Sequence, residues 1–378
     1  YHNNIGGQII KLGETVKYYI EQDLGKNPAF PEGGYAGLYI KDYVSNNLNL
    51  LKATWENSGS LEELGMVLAN TFKDSVLTDC KNMGIVFDKI TQESEIVKKE
   101  DSKNSILEKF KKENALKASE GAIWFAPSDE FLKDRECVLV KKDGKNTYFL
   151  NDIVYHIEKS KKGAKLAIDI LGSNHAGHAP RMYGAMQALG LKNFLSIVFY
   201  QWVTLIKDGK EVSMSKRKGD FVLASEVLTE VGKDYFRWFF LNKESNTPIK
   251  FDLSLAKEKS SRNQVYFVQY ACARINSVLN KSRKEGGFEY GVLEQGERDL
   301  LQKLIYFPDV VEEVARNYKT NKLCEYALEV AGSFHKFYET CPILENPNES
   351  QRINTLKATK VVLEETLRLI GIEAPQKM

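Results

Sequence analysis

Leu166-Ala167-Ile168-Asp169-Ile170-Leu171 runs into Gly172-Ser173-Asn174-His175-Ala176-Gly177-His178. A helical pattern from Arg181 to Leu189 then leads to a second apolar run, Leu195-Ser196-Ile197-Val198-Phe199-Tyr200. Two short β-rich runs flanking a helix predict a parallel strand–helix–strand unit with buried strands. In such units ligands bind beyond the carboxyl ends of the strands, beside helix N-termini. The small residues from Gly172 to Gly177, with Asn174 and His175 as donors, suit a nucleotide or phosphate there. The same glycines also suit a plain strand-to-helix turn, and that reading by itself suffices. A His175/His178 metal pair ranks last, because no cysteine or carboxylate cluster sits nearby in the sequence.

Outward from this unit the period changes on both sides. Cys137-Val138-Leu139-Val140 and Thr147-Tyr148-Phe149-Leu150 read as strands, and Val203 to Val212 reads as a hairpin around Asp208-Gly209. From Tyr1 to about Ser128 the pattern is mostly helical, with Leu61 to Asp79 as one amphipathic helix. The charged stretch from Glu93 to Lys117 reads as a solvated helix face. Beyond about Glu244, helices are predicted over Ala256–Ser282, Leu293–Asn317, Asn321–Thr340 and Arg352–Ile370. Four long helices with short connections make a bundle. The fold class expected is therefore α/β followed by all-α.

The chain has 378 residues, enough for two or three cores. Hydrophobic residues make up 43% and charged residues 28%, as in ordinary globular domains. No apolar run approaches the roughly 20 residues that span a bilayer. No secretory signal is visible at Tyr1-His2-Asn3-Asn4. A net charge of only +2 requires any nucleic-acid partner to be held by a local basic surface. The cysteines (Cys80, Cys137, Cys272, Cys324, Cys341) are scattered, which suits a reducing cytoplasm and argues against a four-cysteine zinc site.

Three groups of residues could carry chemistry. The loop Glu211-Val212-Ser213-Met214-Ser215-Lys216-Arg217-Lys218-Gly219-Asp220 combines small residues with closely spaced cations. It could close over a polyphosphate, with the Lys216 ammonium stabilising transition-state charge by about 3–4 kcal/mol. A solvated basic loop is the plain alternative. Tyr148 and Asp152 are four apart; if a strand gives way to a helix between them, phenol and carboxylate converge on one pocket. Such a pocket suits a guanidinium, whose planar fork matches a carboxylate. Otherwise Asp152 is a helix cap and Tyr148 a core residue. Phe267, Tyr270 and Arg274 share one helix face and could stack an unpaired base and grip its phosphate. Aromatics at that spacing also occur as plain core.

In combination and order, these motifs resemble the arginyl-tRNA synthetases. Asn4-Ile5-Gly6-Gly7-Gln8-Ile9 resembles the family's Asn-x-x-Gly-x-Gln stretch, and Gly34-Tyr35-Ala36-Gly37-Leu38-Tyr39-Ile40 is similar to its Tyr-x-Gly-x-Tyr segment. Gly172-Ser173-Asn174-His175 resembles its Gly-x-Asp-His turn, with Asn174 in place of aspartate. Ser213-Met214-Ser215-Lys216 resembles the class I Lys-Met-Ser-Lys loop, with Ser213 in place of the first lysine. Phe251 to Lys257, Tyr266 to Arg274, Phe334 to Tyr338 and Ala374 to Met378 look like parts of its anticodon-binding bundle.

The resemblance implies an incomplete class I Rossmann-like catalytic domain over 1–243, with a helical insertion at about 41–120. A helical-bundle anticodon-binding domain would follow over 244–378. It implies ligation of L-arginine to tRNA(Arg) with ATP, magnesium entering on the nucleotide and no protein-ligated metal. Tyr148, Asp152 and Asn174 would hold arginine, with Gly172 and His175 on the floor of the site. Lys216 would be catalytic, and Phe267, Tyr270, Arg274, Tyr338 and Met378 would contact tRNA. A cytoplasmic monomer without membrane attachment is expected. The family's His-Ile-Gly-His signature and small N-terminal domain are not among these residues. The expectation is therefore a C-terminal portion of a longer enzyme, unable to form arginyl-adenylate alone. The rival readings are a stand-alone tRNA-binding module, a class I synthetase for another amino acid and a helical scaffold.

Overall fold

The computed structural model describes residues 1–378 except 128–135, 208, 213–221, 259, 261, 285 and 287–290. Ser213, Met214, Ser215 and Lys216 therefore lie outside the described residues. The chain folds into two compact units. One holds Tyr1–Lys81 and Ile85–Phe199; the other holds Asn82–Gly84, Tyr200–Val212 and Val222–Met378.

The first unit opens with four helices: α1 (Gly7–Asp23), α2 (Leu38–Asn46), α3 (Leu48–Ser58) and α4 (Leu61–Asn82). Val16, Ile20, Ile40, Val44, Leu51, Leu64 and Leu68 recur at helical spacing and bury one core. Two glycines let α1 and α4 touch backbone to backbone. A Cβ on Gly13 would lie 1.8 Å from the Leu61 carbonyl oxygen, and one on Gly65 2.0 Å from that of Ile9.

A second core follows, built by α5 (Glu93–Val97), α6 (Glu100–Lys112), β1 (Leu116–Ser119), β2 (Ala122–Phe125) and β3 (Cys137–Val140). It is completed by α7 (Tyr148–Lys161), β4 (Ala167–Gly172), α8 (Ala179–Ala188) and β5 (Leu195–Tyr200). β1, β2 and β3 form an antiparallel sheet, with Leu116 opposite Phe125 and Phe125 opposite Cys137. The β1–β2 turn, Glu120-Gly121, has φ of 52° and 77°, the double positive φ of a type I′ hairpin. β4 and β5 pair with each other, and Pro180 stands in the first turn of α8, where its missing N–H costs nothing.

Three expectations for this unit are corrected. Strand structure begins at Leu116 rather than after Gly121, because the charged helix α6 ends at Lys112. Thr147–Leu150 is the start of helix α7 and not a strand. Thr147 Oγ1 accepts from the Leu150 N–H and donates to the Val138 carbonyl at 2.8 Å, so one hydroxyl caps the helix and pins it to β3. β4 is not buried on both faces: Ala167 is in the core, while Ile168 and Ile170 on the alternate face are exposed.

The second unit begins with β6 (Val203–Lys207) and β7 (Lys210–Glu211), paired antiparallel; Asp208, in the expected turn, lies outside the described residues. Then come α9 (Ala224–Val231), α10 (Lys233–Leu241), β8 (Ile249–Asp252) and α11 (Leu253–Ala256). β8 pairs in parallel with β6, Leu205 opposite Phe251. The bundle is α12 (Gln264–Lys281), α13 (Gln295–Ile305), α14 (Phe307–Asn317), α15 (Asn321–Thr340) and α16 (Glu349–Leu369). Val268, Ile275, Leu300, Val330, Phe334, Phe337, Leu356 and Leu363 are among its core residues.

Only α15 follows its expected span. The Ala256–Ser282 helix is broken because buried Asn263 donates to the carbonyls of Ala256 and Glu258 at 3.2 and 2.9 Å and caps α12. The Leu293–Asn317 helix is broken at Tyr306, two residues before Pro308, which cannot donate to the preceding turn. α16 starts three residues earlier than expected, at Glu349.

Candidate active site

Helix α7 positions the polar groups of the site. Phe149, Leu150, Asn151, Ile153, Val154 and His156 form its buried face. Tyr148 and Asp152, at i and i+4, share another face. Tyr148 is 59% exposed, with its hydroxyl 3.6 Å from where a Cβ on Gly6 would stand. The Asp152 carboxylate is half-buried, its Oδ2 3.3 Å from His178 Nε2.

A second carboxylate stands beside them, and sequence reasoning missed it. Glu93, at the start of α5, is only 2% exposed. Its backbone N–H donates to the His2 carbonyl at 2.9 Å. Its neighbour Ser94 donates to Asn4 Oδ1 at 3.0 Å, and Asn4 donates to Gln92 and back to Ser94. Asn151 Nδ2, on α7, donates to Glu93 Oε1 at 3.0 Å, while Glu93 Oε2 is buried without a partner. Burial raises the Glu93 carboxyl above its ordinary range; the Asn151 bond opposes this and the Asp152 charge adds to it. The Tyr1 phenol is likewise raised, first by burial, then by the charges of Glu93 and Asp152. A cavity of about 550 Å³ is lined by Gly6, Glu93, Lys103, Tyr148 and Asn151, among others. Asp152 does not line that cavity; it lies one turn along the helix, facing His178.

The recess therefore holds the Glu93 carboxyl, with one oxygen that has no donor, and a second carboxylate, Asp152, close enough along α7 for its charge to oppose the ionisation of the first. A cation with several N–H groups would satisfy both conditions at once.

His156 fixes the frame behind it. Its Nδ1 lies 2.7 Å from the Asp152 carbonyl oxygen and its Nε2 2.9 Å from Asp169 Oδ2 on β4. Burial raises the Asp169 carboxyl, but His156 and Lys159 outweigh it and hold the group below the carboxylate range. The main chain under Asp152 is thus tied to the strand whose end carries Gly172, Asn174 and His175. Gly172 closes β4, and Asn174 and His175 occupy a short 3₁₀ turn with exposed side chains. His178, not His175, is the residue of that turn that reaches Asp152.

In the bundle, Arg274 of α12 lies 4.2 Å over the Tyr338 ring of α15 and 5.4 Å from the Tyr270 ring. Tyr270 stacks on His335 at 5.9 Å, and Phe267 tilts against His335 at 4.7 Å. Burial lowers the His335 imidazole; a bond to the Phe267 backbone opposes this and the Arg274 charge adds to it. Its Nε2 is buried without a partner. Tyr270 and Met378 are exposed, whereas Phe267 and Tyr338 lie partly in the core. His335 was absent from the expected set, although it sits three residues before Tyr338 in a run already singled out.

Residues 68–252 match the family "tRNA synthetases class I (R), catalytic domain", and residues 268–378 match the DALR anticodon binding domain. The arginine–tRNA ligase of Thermotoga petrophila is 38% identical, aligned over all of this chain and 71% of that protein. The chain belongs to the arginine–tRNA ligases. The Listeria monocytogenes ligase is 36% identical over all of this chain and 70% of its own length. Among solved structures, an arginyl-tRNA synthetase from Campylobacter jejuni superposes with a TM-score of 0.85 at 29% identity, covering 100% of this chain and 84% of that one. The Thermus thermophilus arginyl-tRNA synthetase, at 19% identity and a TM-score of 0.69, shares the fold. This arginine–tRNA ligase family member thus joins an ATP-dependent class I catalytic domain to a helical anticodon-binding domain. Among the described residues, no helix is long and apolar enough to cross a membrane.

Proposed function

We propose that the chain holds L-arginine by its guanidinium against Glu93 and Tyr148 of the recess and Asp152 one turn along α7, for activation by ATP and transfer to tRNA(Arg). The observation that carries this reading is the buried, partnerless Oε2 of Glu93 beside a second carboxylate. Glu93 and Asp152 supply acceptors for the planar fork, and Tyr148 closes the face above it. Asn174 acts nearer the arginine backbone, with Gly172 and His175 on the floor. The loop Ser213-Met214-Ser215-Lys216 covers the ATP phosphates, and Lys216 stabilises charge as adenylate forms. Magnesium enters on the nucleotide as substrate and clamps its phosphates.

Residues 1–243 act as the catalytic domain, with an insertion at about 41–120, and 244–378 as the anticodon-binding domain. Tyr270 and Arg274, held between Tyr338 and His335, stack and grip the anticodon loop with Phe267 and Met378 at its margin. The enzyme works as a monomer in the cytoplasm, a compartment in keeping with its five free thiols.

Calorimetric titration with arginine, citrulline and lysine tests the recess. Citrulline keeps the shape of arginine without its charge and is expected to bind at least about 100-fold more weakly, from two lost charge-assisted bonds of about 1.5–3 kcal/mol each. Asp152→Asn should weaken arginine about 10- to 100-fold and leave citrulline nearly unchanged. Equal affinity for arginine and citrulline would sink the proposal.

A further inference from the structure

The face of α7 that carries Tyr148 and Asp152 continues through Tyr155, Lys159 and Lys162, a stripe at i, i+4, i+7, i+11 and i+14. At its far end a cavity of about 520 Å³ is lined by Lys89, Lys98, Lys99, Lys159 and Lys162 against the two carboxylates Glu95 and Glu158. Glu158 is already engaged by Ser102 at 2.7 Å, by Lys161 at 3.4 Å and by Lys99 at 3.9 Å. Lys159 faces Asp169 at 3.6 Å and lies 4.2 Å over the Tyr155 ring. Among the described residues, no carboxylate pairs with Lys89, Lys98 or Lys162.

A cation at the C-terminus of a helix offsets its dipole, which accounts for Lys159, Lys161 and Lys162. Lys98, at the C-cap of α5, has the same explanation, but it does not cover Lys89 from a separate segment, nor Lys99 at the N-cap of α6, where the dipole disfavours positive charge. Lys89 and Lys162 line the same cavity, and the neighbouring Lys89 holds the Lys162 ammonium below its ordinary range. Two ammonium groups so placed on a solvated surface repel, and an anion bridging them would convert that repulsion into attraction.

We propose that this lysine-lined cavity is a binding site for phosphate oxyanions, fitted to the phosphodiester backbone of the tRNA that the ligase takes as substrate. Several flexible point charges spread over a groove suit a run of phosphates better than one rigid planar acid. Only the choice of nucleic acid rests on the proposed function; the oxyanion chemistry rests on the cavity. A free phosphate compound could supply the same chemistry, so the two sources are tested separately.

The test compares the chain with the double variant Lys89→Gln/Lys162→Gln and its conservative counterpart Lys89→Arg/Lys162→Arg. Both positions are exposed, so folding is not at stake. Binding of a tRNA(Arg) transcript is measured over a KCl series, and binding of inorganic phosphate by phosphorus NMR titration. The glutamine variant should bind the transcript about tenfold more weakly. Its plot of log affinity against log salt should be shallower by about 1.4–1.8, two phosphates at 0.7–0.9 each. The arginine variant should restore both. Loss of inorganic phosphate binding with tRNA binding intact would assign the site to a small free phosphate instead. Unchanged titrations with both probes would overturn the site. If Tyr270→Ala weakened tRNA binding in that case, the bundle reading would stand and the lysine cavity alone would fall.

Discussion

Replacing Glu93 by Gln separates a functional acid from a structural one, because the two roles move stability and affinity in opposite directions. Glu93 Oε1 accepts from Asn151, and glutamine Oε1 can keep that bond. Oε2 is buried without a donor, so ionising the carboxyl in the free protein leaves that oxygen with nothing to stabilise it. The Glu93 carboxyl is raised in the fold, first by burial. Its contribution to stability is therefore fully present below the ordinary carboxylate value and is lost as pH rises through the folded one. The neutral amide escapes that loss, so the free variant should melt at a higher temperature than the parent at pH 7.5.

Arginine should then behave in the reverse way. One charge-assisted bond to Oε2 is worth about 1.5–3 kcal/mol, or roughly 10- to 150-fold in affinity, and the variant loses it. The parent must also release a proton to bind arginine below the raised value, so its affinity should fall about tenfold per pH unit there. The variant should show no such slope from this group. Calorimetry over pH 5 to 8, with a thermal melt at each pH with and without arginine, reads every term. The assignment is falsified if the variant is less stable than the parent, or binds arginine within threefold of it at pH 7.5.

Two smaller predictions concern the bundle. Arg274→Lys replaces a planar group lying 4.2 Å over the Tyr338 ring by a point charge, and should weaken tRNA binding about three- to tenfold in a filter assay without touching arginine affinity. His335 is held below its ordinary value chiefly by burial, so its contribution to stability is present above about pH 6.5 and is lost as pH falls through the folded value. The urea midpoint should accordingly be higher at pH 7.5 than at 5.5, and His335→Phe should flatten that difference.

What the sequence made legible was local. α15 begins and ends where its periodicity and flanking breaks said, and β6 and β7 pair antiparallel as the expected hairpin requires. The break at Tyr306 was also written in the chain, as Pro308, but sustained apolar spacing on both sides masked it. Thr147–Leu150 misled because threonine and aromatics favour strands, whereas the Thr147 cap depends on a carbonyl of β3 nine residues back. Glu93 lay in a stretch whose charge reads as solvated. Its burial comes from His2 and Asn4 at one end of the chain and from Asn151, 58 residues away, and no local pattern encodes that meeting. The pairing of Asp152 with His178 and the stacking of Arg274 on Tyr338 are of the same kind. Spacing offered Asp152 and Arg274 as candidates and the family resemblance made them preferred; their neighbours emerged only from the packing.

The recess is poor in stabilising contacts where it would meet a ligand and rich in them behind. The Asp152 charge works against ionised Glu93, and Tyr148 is left half in solvent, so the front of the site contributes little to folding. Behind it, Thr147 bonds α7 to β3, His156 bonds the Asp152 carbonyl and β4, and Asn151 holds Glu93 against the helix. These bonds leave Glu93 Oε2 without a donor, while Asp152 Oδ2 keeps only His178, at 3.3 Å. That division is what a receptor for a cation requires. Acceptors whose positions are set before the ligand arrives lose little conformational entropy on binding, and the repulsion between them is relieved only when positive charge enters. On the proposed reading, a core histidine such as His156 would shape specificity without touching the amino acid, because a shift in the Asp152 backbone would move one acceptor relative to the other and spoil their match to a planar fork.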